Sequence, residues 1–299
     1  MIRIEKCTIC KEELKDIGLK VKDRLVSGEE FVLYSCMQCG LIHTSPIPDK
    51  NELSKYYKSE GYISHTEKPK NAFEQTYFFI RNKMIRKKIG FIKKYVKKTP
   101  SILDFGCGTG SFLAKCVEKG WIGYGFEPEK AARETARKIT KAPVKENLDQ
   151  LNKYKSNPFD VISLWHVIEH VYELDETMSC FNEVLKDGGL LVIAVPDHES
   201  YDACFYREKW AGYDTPRHLY HFNENAIKAL GIKYGFKLIG KKPLIFDSFF
   251  VSLLSENEKK NVLKHLRAAI VGLISNIYGL LKIKPYSSQV YFLKKERNS

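Results

Sequence analysis

One short segment limits what this chain can fold into more than any other: Asp104-Phe105-Gly106-Cys107-Gly108-Thr109-Gly110. It follows an apolar run at 101–104 that is typical of a buried strand, and it precedes a helical pattern at 111–119. Its three glycines let the backbone approach a ligand closely, where any Cβ atom would collide. The segment therefore predicts a ligand-binding turn between a strand and a helix.

From about residue 99 onward, short β-type runs alternate with helical patterns, which indicates βαβ units and a parallel sheet. The predicted strands are 101–104, 121–126, 159–164, 190–195, 236–239 and 290–293. We expect an α/β, doubly wound, Rossmann-like domain. The composition divides the 299 residues into a module at 1–50, a basic helical bridge at 51–98 and the α/β domain at 99–299.

The net charge of +13 predicts affinity for an anionic partner such as nucleic acid, an acidic lipid surface or a phosphorylated substrate. The first residues lack the apolar core of a secretory signal, and no apolar run is long enough to span a bilayer. We therefore expect a cytoplasmic location, where thiols stay reduced and the eight cysteines do not form a disulfide framework.

The N-terminal module carries two Cys-x2-Cys pairs, Cys7/Cys10 and Cys36/Cys39, separated by 25 residues. Two such turns supply the closed tetrahedral set of a structural Zn²⁺ site. Gly40 suits the tight turn after the second pair, whereas the first pair has Lys11 there. Four unrelated buried thiols are one alternative. A redox pair is another, but neither pair opens a helix after a strand.

The glycine turn differs from a dinucleotide fingerprint, because Ser111 stands where the third glycine would be needed and Asp104 precedes the first glycine. It resembles motif I of the class I S-adenosylmethionine (SAM)-dependent methyltransferases. That resemblance implies a mostly parallel, seven-stranded sheet and makes Asp104, Gly106, Gly108 and Gly110 cofactor-binding candidates.

Other segments extend this resemblance over roughly residues 99–299. Glu127, at the end of the second predicted strand, matches the family's acidic residue for the ribose hydroxyls. Asn147 and Leu148 fall where the family contacts adenine. The segments 159–171 and 185–190 are similar to the family's fourth strand and to its turn into the fifth. The implied cofactor is SAM.

Two histidine-containing clusters follow the fourth and fifth strands, where the acceptor of a methyl group is expected. In the first, His166, Glu169 and His170 would share one helix face. Quinone-biosynthesis O-methyltransferases have a similar segment and can bind a divalent metal there, but capping and packing of the helix is the simpler interpretation. His166 is also a candidate for catalysis and for cofactor contact.

The second cluster lies at 210–222 and contains Arg217, His218 and His221 among several aromatic residues. An arginine, histidine and aromatic surface suits an anionic or ring-bearing acceptor. We predict His218 as the general base, with His221 as the second choice. The alternative is that both histidines are hydrogen-bonded core residues.

Two amphipathic stretches remain. Residues 71–98 carry nine Lys or Arg against one Glu, and an apolar stripe includes Ile80, Met84 and Phe91. Such a stripe usually packs on a core, although its charge could meet phosphate or an anionic membrane surface. The second stretch, 259–283, is expected to cover the acceptor pocket or rest on a membrane.

The resemblance favours methyl transfer from SAM to a small-molecule, glycan or lipid-linked acceptor. The alternative is a methyltransferase acting on rRNA or tRNA, with the zinc module and the basic helix binding RNA. Residues 163–166 lack the Asn/Asp-Pro-Pro-aromatic motif for exocyclic amines, and no Pro-Cys pair serves cytosine C5 chemistry. A non-catalytic binding module is the third class, and the full set of cofactor residues disfavours it.

Overall fold

The computed structural model describes residues 1–57, 72–96, 99–256 and 263–297, and for 72–79 it describes the backbone alone. Within these residues the strands form two sheets. The larger one, which we call the core sheet, has seven strands in the order β6-β5-β4-β7-β8-β11-β10. Its strands are β4 Ser101–Phe105, β5 Ile122–Phe126, β6 Val144–Lys145, β7 Phe159–Trp165, β8 Leu185–Pro196, β10 Phe236–Pro243 and β11 Ser288–Lys295.

The core sheet confirms the predicted fold class. Strands β4 to β8 pair in parallel, whereas β11 runs antiparallel to both of its neighbours, β8 and β10. All six predicted strands are present, although β8 begins five residues earlier than the pattern indicated. The α/β, doubly wound architecture follows from the helices that separate these strands along the chain.

Eight α-helices lie within the described residues. Their ranges are α1 Ala72–Ile92, α2 Ser111–Glu118, α3 Lys130–Thr140, α4 Leu174–Val184, α5 Tyr201–Tyr206, α6 Glu224–Lys233, α7 Asp247–Ser255 and α8 Lys264–Leu280. Apolar residues of the core strands alternate between two hydrophobic clusters, as a strand period of two requires. Helices α4 and α6 contribute to one cluster, and α1 and α2 contribute to the other.

The second sheet, which we call the module sheet, joins the N-terminal segment to the rest of the chain. Its strands β1 Lys15–Lys22, β2 Glu30–Ser35 and β3 Ile42–Ser45 are antiparallel. A short strand from the α/β region, β9 Tyr220–His221, pairs with β3 and completes the sheet. The boundary predicted at residue 50 therefore divides segments that share a sheet.

Helix α1 packs its apolar residues on the core sheet. This agrees with the prediction that the apolar side of residues 71–98 packs on a core. Met84, Ile85, Ile89, Phe91 and Ile92 are buried in the same cluster as core-sheet residues. The same apolar spacing also includes positions 73 and 77, which lie outside the described side chains. The remaining part of the predicted bridge, 58–71 and 97–98, lies outside the described residues.

Candidate functional site

The turn after β4 has the shape that its sequence predicted. Gly106, Gly108 and Gly110 all have positive φ angles, of 73°, 53° and 85°. A Cβ atom on Gly106 would lie 2.5 Å from Val167, and one on Gly110 would lie 3.0 Å from the Ala136 backbone. A Cβ atom on Gly108 would meet nothing within 4 Å. The turn therefore packs closely at both ends and has an open side at Gly108.

Two carboxylates flank this open side. Asp104 is 2% exposed, accepts a 2.8 Å hydrogen bond from the Ser163 hydroxyl, and has a pKa that burial raises to about 7. At the end of β5, Glu127 accepts a 2.9 Å hydrogen bond from the Gly108 amide. Because β4 and β5 are neighbours, two short segments of sequence produce this whole arrangement.

Asn147 and Leu148 lie beyond β6, at the start of a 3-10 turn that spans Leu148–Tyr154. Asn147 is exposed and Leu148 is half-buried. Their predicted contact with adenine stays a prediction.

The segment after β7 differs from its prediction. His166 has a φ of 59°, residues Ile168–His170 form one 3-10 turn, and α4 begins only at Leu174. The predicted helix face shared by His166, Glu169 and His170 is therefore wrong. The left-handed backbone at His166 turns the chain sharply out of the strand, and the histidines consequently point to different partners.

His166 contacts the start of α7. Its Nε2 lies 3.0 Å from an Asp247 oxygen, and its Nδ1 lies 3.5 Å from Glu169. Burial alone would lower the pKa of His166, but the contacts with Asp247 and Glu169 outweigh it and raise that pKa to about 9. His166 is accordingly a cation at neutral pH, which disfavours it as a proton acceptor.

In the second cluster, Arg217 is not part of an acceptor-binding surface. It is 1% exposed and donates hydrogen bonds to Asp23, Asp214 and the Tyr56 carbonyl. The prediction of an arginine, histidine and aromatic surface is wrong in this respect, because the guanidinium is paired with the buried Asp23 and the partly buried Asp214. Trp210 is also buried, and its indole N–H donates to Asp202.

His221 is likewise enclosed. It lies on β9, and its Nε2 is 3.0 Å from the Thr44 hydroxyl of the module sheet. Burial, with nearby histidines, lowers its pKa well below the ordinary value. His221 is therefore neutral at physiological pH and occupied by a contact within the fold.

His218 lies in a different environment, beside Glu169 and His170. One ring nitrogen of each histidine and one Glu169 oxygen all lie within 4.8 Å of one another. Both rings donate Nδ1–H to backbone carbonyls at 2.9 Å, His170 to Arg217 and His218 to Gly212. These bonds leave each Nε2 as the nitrogen with a lone pair. The trio could accept protons or hold a divalent cation.

Glu169 is the buried centre of this trio. It is 1% exposed, and within the described residues neither carboxylate oxygen accepts a hydrogen bond of good geometry. The residues that close around it, leaving less space than one water molecule fills in this conformation, are Pro196, Trp210, Gly212, His218, Tyr220, His221 and Phe222. A buried carboxylate and a closed aromatic cluster therefore meet near the carboxyl ends of β7 and β8, where ligands of such sheets bind.

Comparison with known proteins adds to this geometry. A family model described as a methyltransferase domain matches residues 77–241, which is more than half of the chain. The chain belongs to this methyltransferase-domain family. An uncharacterized methyltransferase of Anoxybacillus flavithermus is 30% identical over 118 residues, covering 38% of this chain and 56% of that protein. One of Schizosaccharomyces pombe is 24% identical over 135 residues, covering 40% and 48%. The matches thus span about half of these relatives.

Solved structures share the fold. The chain is similar to magnesium protoporphyrin IX methyltransferase from Synechocystis PCC 6803 with bound SAH, with a TM-score of 0.53 and 13% identity. That match covers 83% of this chain and all of the other. The same enzyme with bound SAM gives a TM-score of 0.51 and 12% identity, covering 84% and 99%. These structures show that the fold is that of SAM-dependent methyltransferases, and the match at residues 77–241 assigns the family.

The methyltransferase has a further residue at the cofactor side that sequence reasoning missed. Lys88 of α1 places its Nζ 4.3 Å from the Trp165 ring centroid; burial lowers its pKa below the ordinary value, and Asp247 and Asp104 oppose that shift in part. A nearby pair, Arg81 and Ser111, joins α1 to the start of α2. The sequence could have indicated Lys88, because it lies four residues after Met84 and so shares the spacing of the buried apolar residues on α1.

Four of the eight cysteines, those of the two Cys-x2-Cys pairs, converge in the N-terminal segment. The sulfurs of Cys7, Cys10, Cys36 and Cys39 all lie within 4.8 Å of one another. Lys11 and Gly40 have φ angles of 63° and 75°, and their amides donate to the carbonyls of Cys7 and Cys36. The two turns are thus equivalent, although only one has a glycine. A hydrogen bond from Cys39 lowers the pKa of the Cys7 thiol to about 3. This donor set fits a tetrahedral metal site.

Proposed function

We propose that this methyltransferase acts on a small-molecule, glycan or lipid-linked acceptor, with His218 as the general base. The observation that supports this most is the orientation of His218. Its Nδ1–H donates to the Gly212 carbonyl, so Nε2 is the nitrogen that can take a proton from an acceptor hydroxyl or amine. The buried Glu169 carboxylate would stabilise the resulting imidazolium.

The acceptor end of the site favours a ring or an apolar chain that carries a nucleophile. Aromatic and apolar residues, including Trp210, Tyr220 and Phe222, close around His218 and leave no open space in this conformation. An acceptor would enter as these side chains move apart, and they would then orient it and exclude water while His218 takes one proton. The other two candidate bases are less suitable than His218. His166 is held as a cation, and His221 is engaged by Thr44.

The cofactor end fits SAM, which supplies an electrophilic methyl group when bound. We assign its amino group to Asp104 and its ribose hydroxyls to Glu127, because these carboxylates flank the open side of the turn at Gly108. We assign its carboxylate to Lys88, which lies in the field of Asp104. Asn147 and Leu148 are assigned to adenine, as the family resemblance implies.

We also propose that Cys7, Cys10, Cys36 and Cys39 hold one structural Zn²⁺. The convergence of their four sulfurs and the two equivalent turns support this. Three of these cysteines pack in the same hydrophobic cluster as Leu219 and Phe222, so the metal would stabilise the fold around the acceptor pocket.

A methyl-transfer screen tests the acceptor and the base together. Purified, zinc-loaded protein is incubated with methyl-labelled SAM and, separately, total RNA, a water-soluble small-molecule extract and a lipid extract. We expect label in a small-molecule or lipid fraction, and a loss of turnover of about a hundredfold in His218→Ala with unchanged SAM affinity. Label confined to RNA would favour the RNA alternative. Unchanged turnover in the variant would remove His218 from the mechanism.

A further inference from the structure

Helix α8 exposes a continuous row of large apolar side chains. Its residues Leu266, Ile270, Leu273, Ile277 and Leu280, which we call the apolar stripe, are between 43% and 73% exposed. Their spacing of three or four residues places them on one face of the helix. Scattered surface leucines are ordinary, whereas a row of this length marks a surface that contacts something apolar.

The opposite face of α8 already has its partner. Val271, Gly272, Ser275 and Gly279 are buried, and a Cβ atom on Gly272 would lie 3.0 Å from the Phe249 backbone of α7. The Ser275 hydroxyl donates to the buried Asp202 of α5. The helix is therefore fixed in orientation by one face, and the apolar stripe is the outward face that results.

The charges around the stripe have one sign. Residues 263–287 contain no Asp or Glu but include Lys264 before the stripe and Lys282 and Lys284 after it. Arg267, also in this segment, is paired with Glu256 at 2.9 Å. In a symmetric dimer built on this face, two copies would bring these lysines together without acidic partners from the same segment. An anionic surface would attract them, as it would the net charge of +13.

The hairpin formed by α7 and α8 also reaches the active site. Asp247, the first residue of α7, contacts His166 at the end of β7. Phe246 and Phe250, at 37% and 40% exposure, add aromatic surface from the same hairpin. A membrane that seats the hairpin would therefore lie against an element that borders the catalytic region. Among the described helices, none has the length and hydropathy to cross a bilayer, so the contact would be peripheral.

We propose that the α7–α8 hairpin docks this methyltransferase on an anionic lipid surface, with the apolar stripe in the acyl boundary and Lys264, Lys282 and Lys284 at the headgroups. This binding is separate from methyl transfer and can be measured without assaying that activity. The competing occupant of the same face is a second copy of this chain.

Vesicle co-sedimentation of the full-length, zinc-loaded chain tests the proposal. The vesicles are phosphatidylcholine alone, or phosphatidylcholine with phosphatidylglycerol, at low and at high salt. We expect binding to the mixed vesicles at least tenfold stronger than to phosphatidylcholine, and weaker at high salt. Equal binding to both vesicle types, or no binding to either, would overturn the proposal.

Two matched pairs of variants locate the surface. Ile270→Glu with Leu273→Glu should reduce vesicle binding at least tenfold, whereas Ile232→Glu, at an exposed position on α6, should leave it unchanged. Lys282→Glu with Lys284→Glu should also reduce binding, whereas Lys93→Glu with Lys94→Glu, after α1, should not.

Unchanged SAH affinity verifies the fold of each variant. Binding lost only with the α1 pair would overturn the proposal, as would a vesicle-free dimer that Ile270→Glu with Leu273→Glu dissociates in sedimentation velocity.

Discussion

The turn after β4 and the segment 210–222 both concentrate chemical groups in few residues, yet they are built in different ways. Glu127 bonds to the Gly108 amide only 19 positions away, and β4 and β5 are adjacent strands. In contrast, Arg217 bonds to Asp23, 194 positions away, and His221 contacts Thr44, 177 positions away. The proposed cofactor side is thus local in sequence, whereas the proposed acceptor side depends on contacts with the N-terminal module.

This difference shows that the density of reactive residue types is a poor guide to a site built from long-range contacts. In 210–222, an arginine, a tryptophan and one histidine are occupied by the fold, and His218 is the residue that borders both Glu169 and the pocket. The predictions below test whether the module side determines stability and the local side determines cofactor affinity.

Loss of the proposed zinc site should have the largest effect. Cys36→Ser should abolish zinc content and lower the free energy of unfolding by several kcal/mol, because structural zinc contributes about 10 kcal/mol or more in small modules. Cys204→Ser, at an exposed cysteine, is the control and should change neither. Metal analysis should find one zinc per chain, and a zinc-free native protein would contradict the assignment of the cysteines.

A second divalent ion in the same metal analysis would assign Glu169, His170 and His218 to metal binding.

Removal of the buried guanidinium should have the next largest effect. Arg217→Met should lower the free energy of unfolding by about 3–5 kcal/mol, because the buried Asp23 would be left without its cation and the partly buried Asp214 would lose the same partner. SAM affinity should not change. Urea unfolding measures the loss, with Lys209→Met, at an exposed position in the preceding turn, as the control. A variant as stable as the wild type, but with a raised KM for the acceptor, would restore Arg217 to the acceptor surface.

A smaller effect is expected at the cofactor side. Lys88→Ala should weaken SAM binding about tenfold with little change in stability, because it removes one charge-assisted contact. Lys87→Ala removes an exposed charge from the next position of α1 and should leave affinity within about twofold. Equal effects of the two variants on SAM affinity would mean that Lys88 contributes only to the general positive field.

The fold could be predicted because its information is local. Strands β4, β7 and β11 are short runs buried on both faces, and a period of two divides their side chains between two clusters. The glycine turn was equally predictable, since three positive φ angles at glycine need no distant partner.

The incorrect predictions concern features that depend on tertiary contacts or on an unusual backbone angle, which local sequence patterns do not encode. His166 adopts a left-handed backbone, which is uncommon for any residue other than glycine, so a helix was predicted where the chain turns sharply. The pairing of β9 with β3 depends on tertiary contact between segments far apart in sequence, and it is what encloses His221. Lys88 was counted with the surface charges, although it occupies the spacing of buried residues on α1.

Calorimetric titration of SAM and SAH into the zinc-loaded protein measures whether the turn with Asp104 and Glu127 binds this cofactor. We expect one site per chain for each compound, and a loss of affinity of at least tenfold in Glu127→Ala, with the unfolding transition unchanged. If both compounds gave no binding heat at several temperatures, or if Glu127→Ala bound with wild-type affinity, this turn would not be the cofactor site.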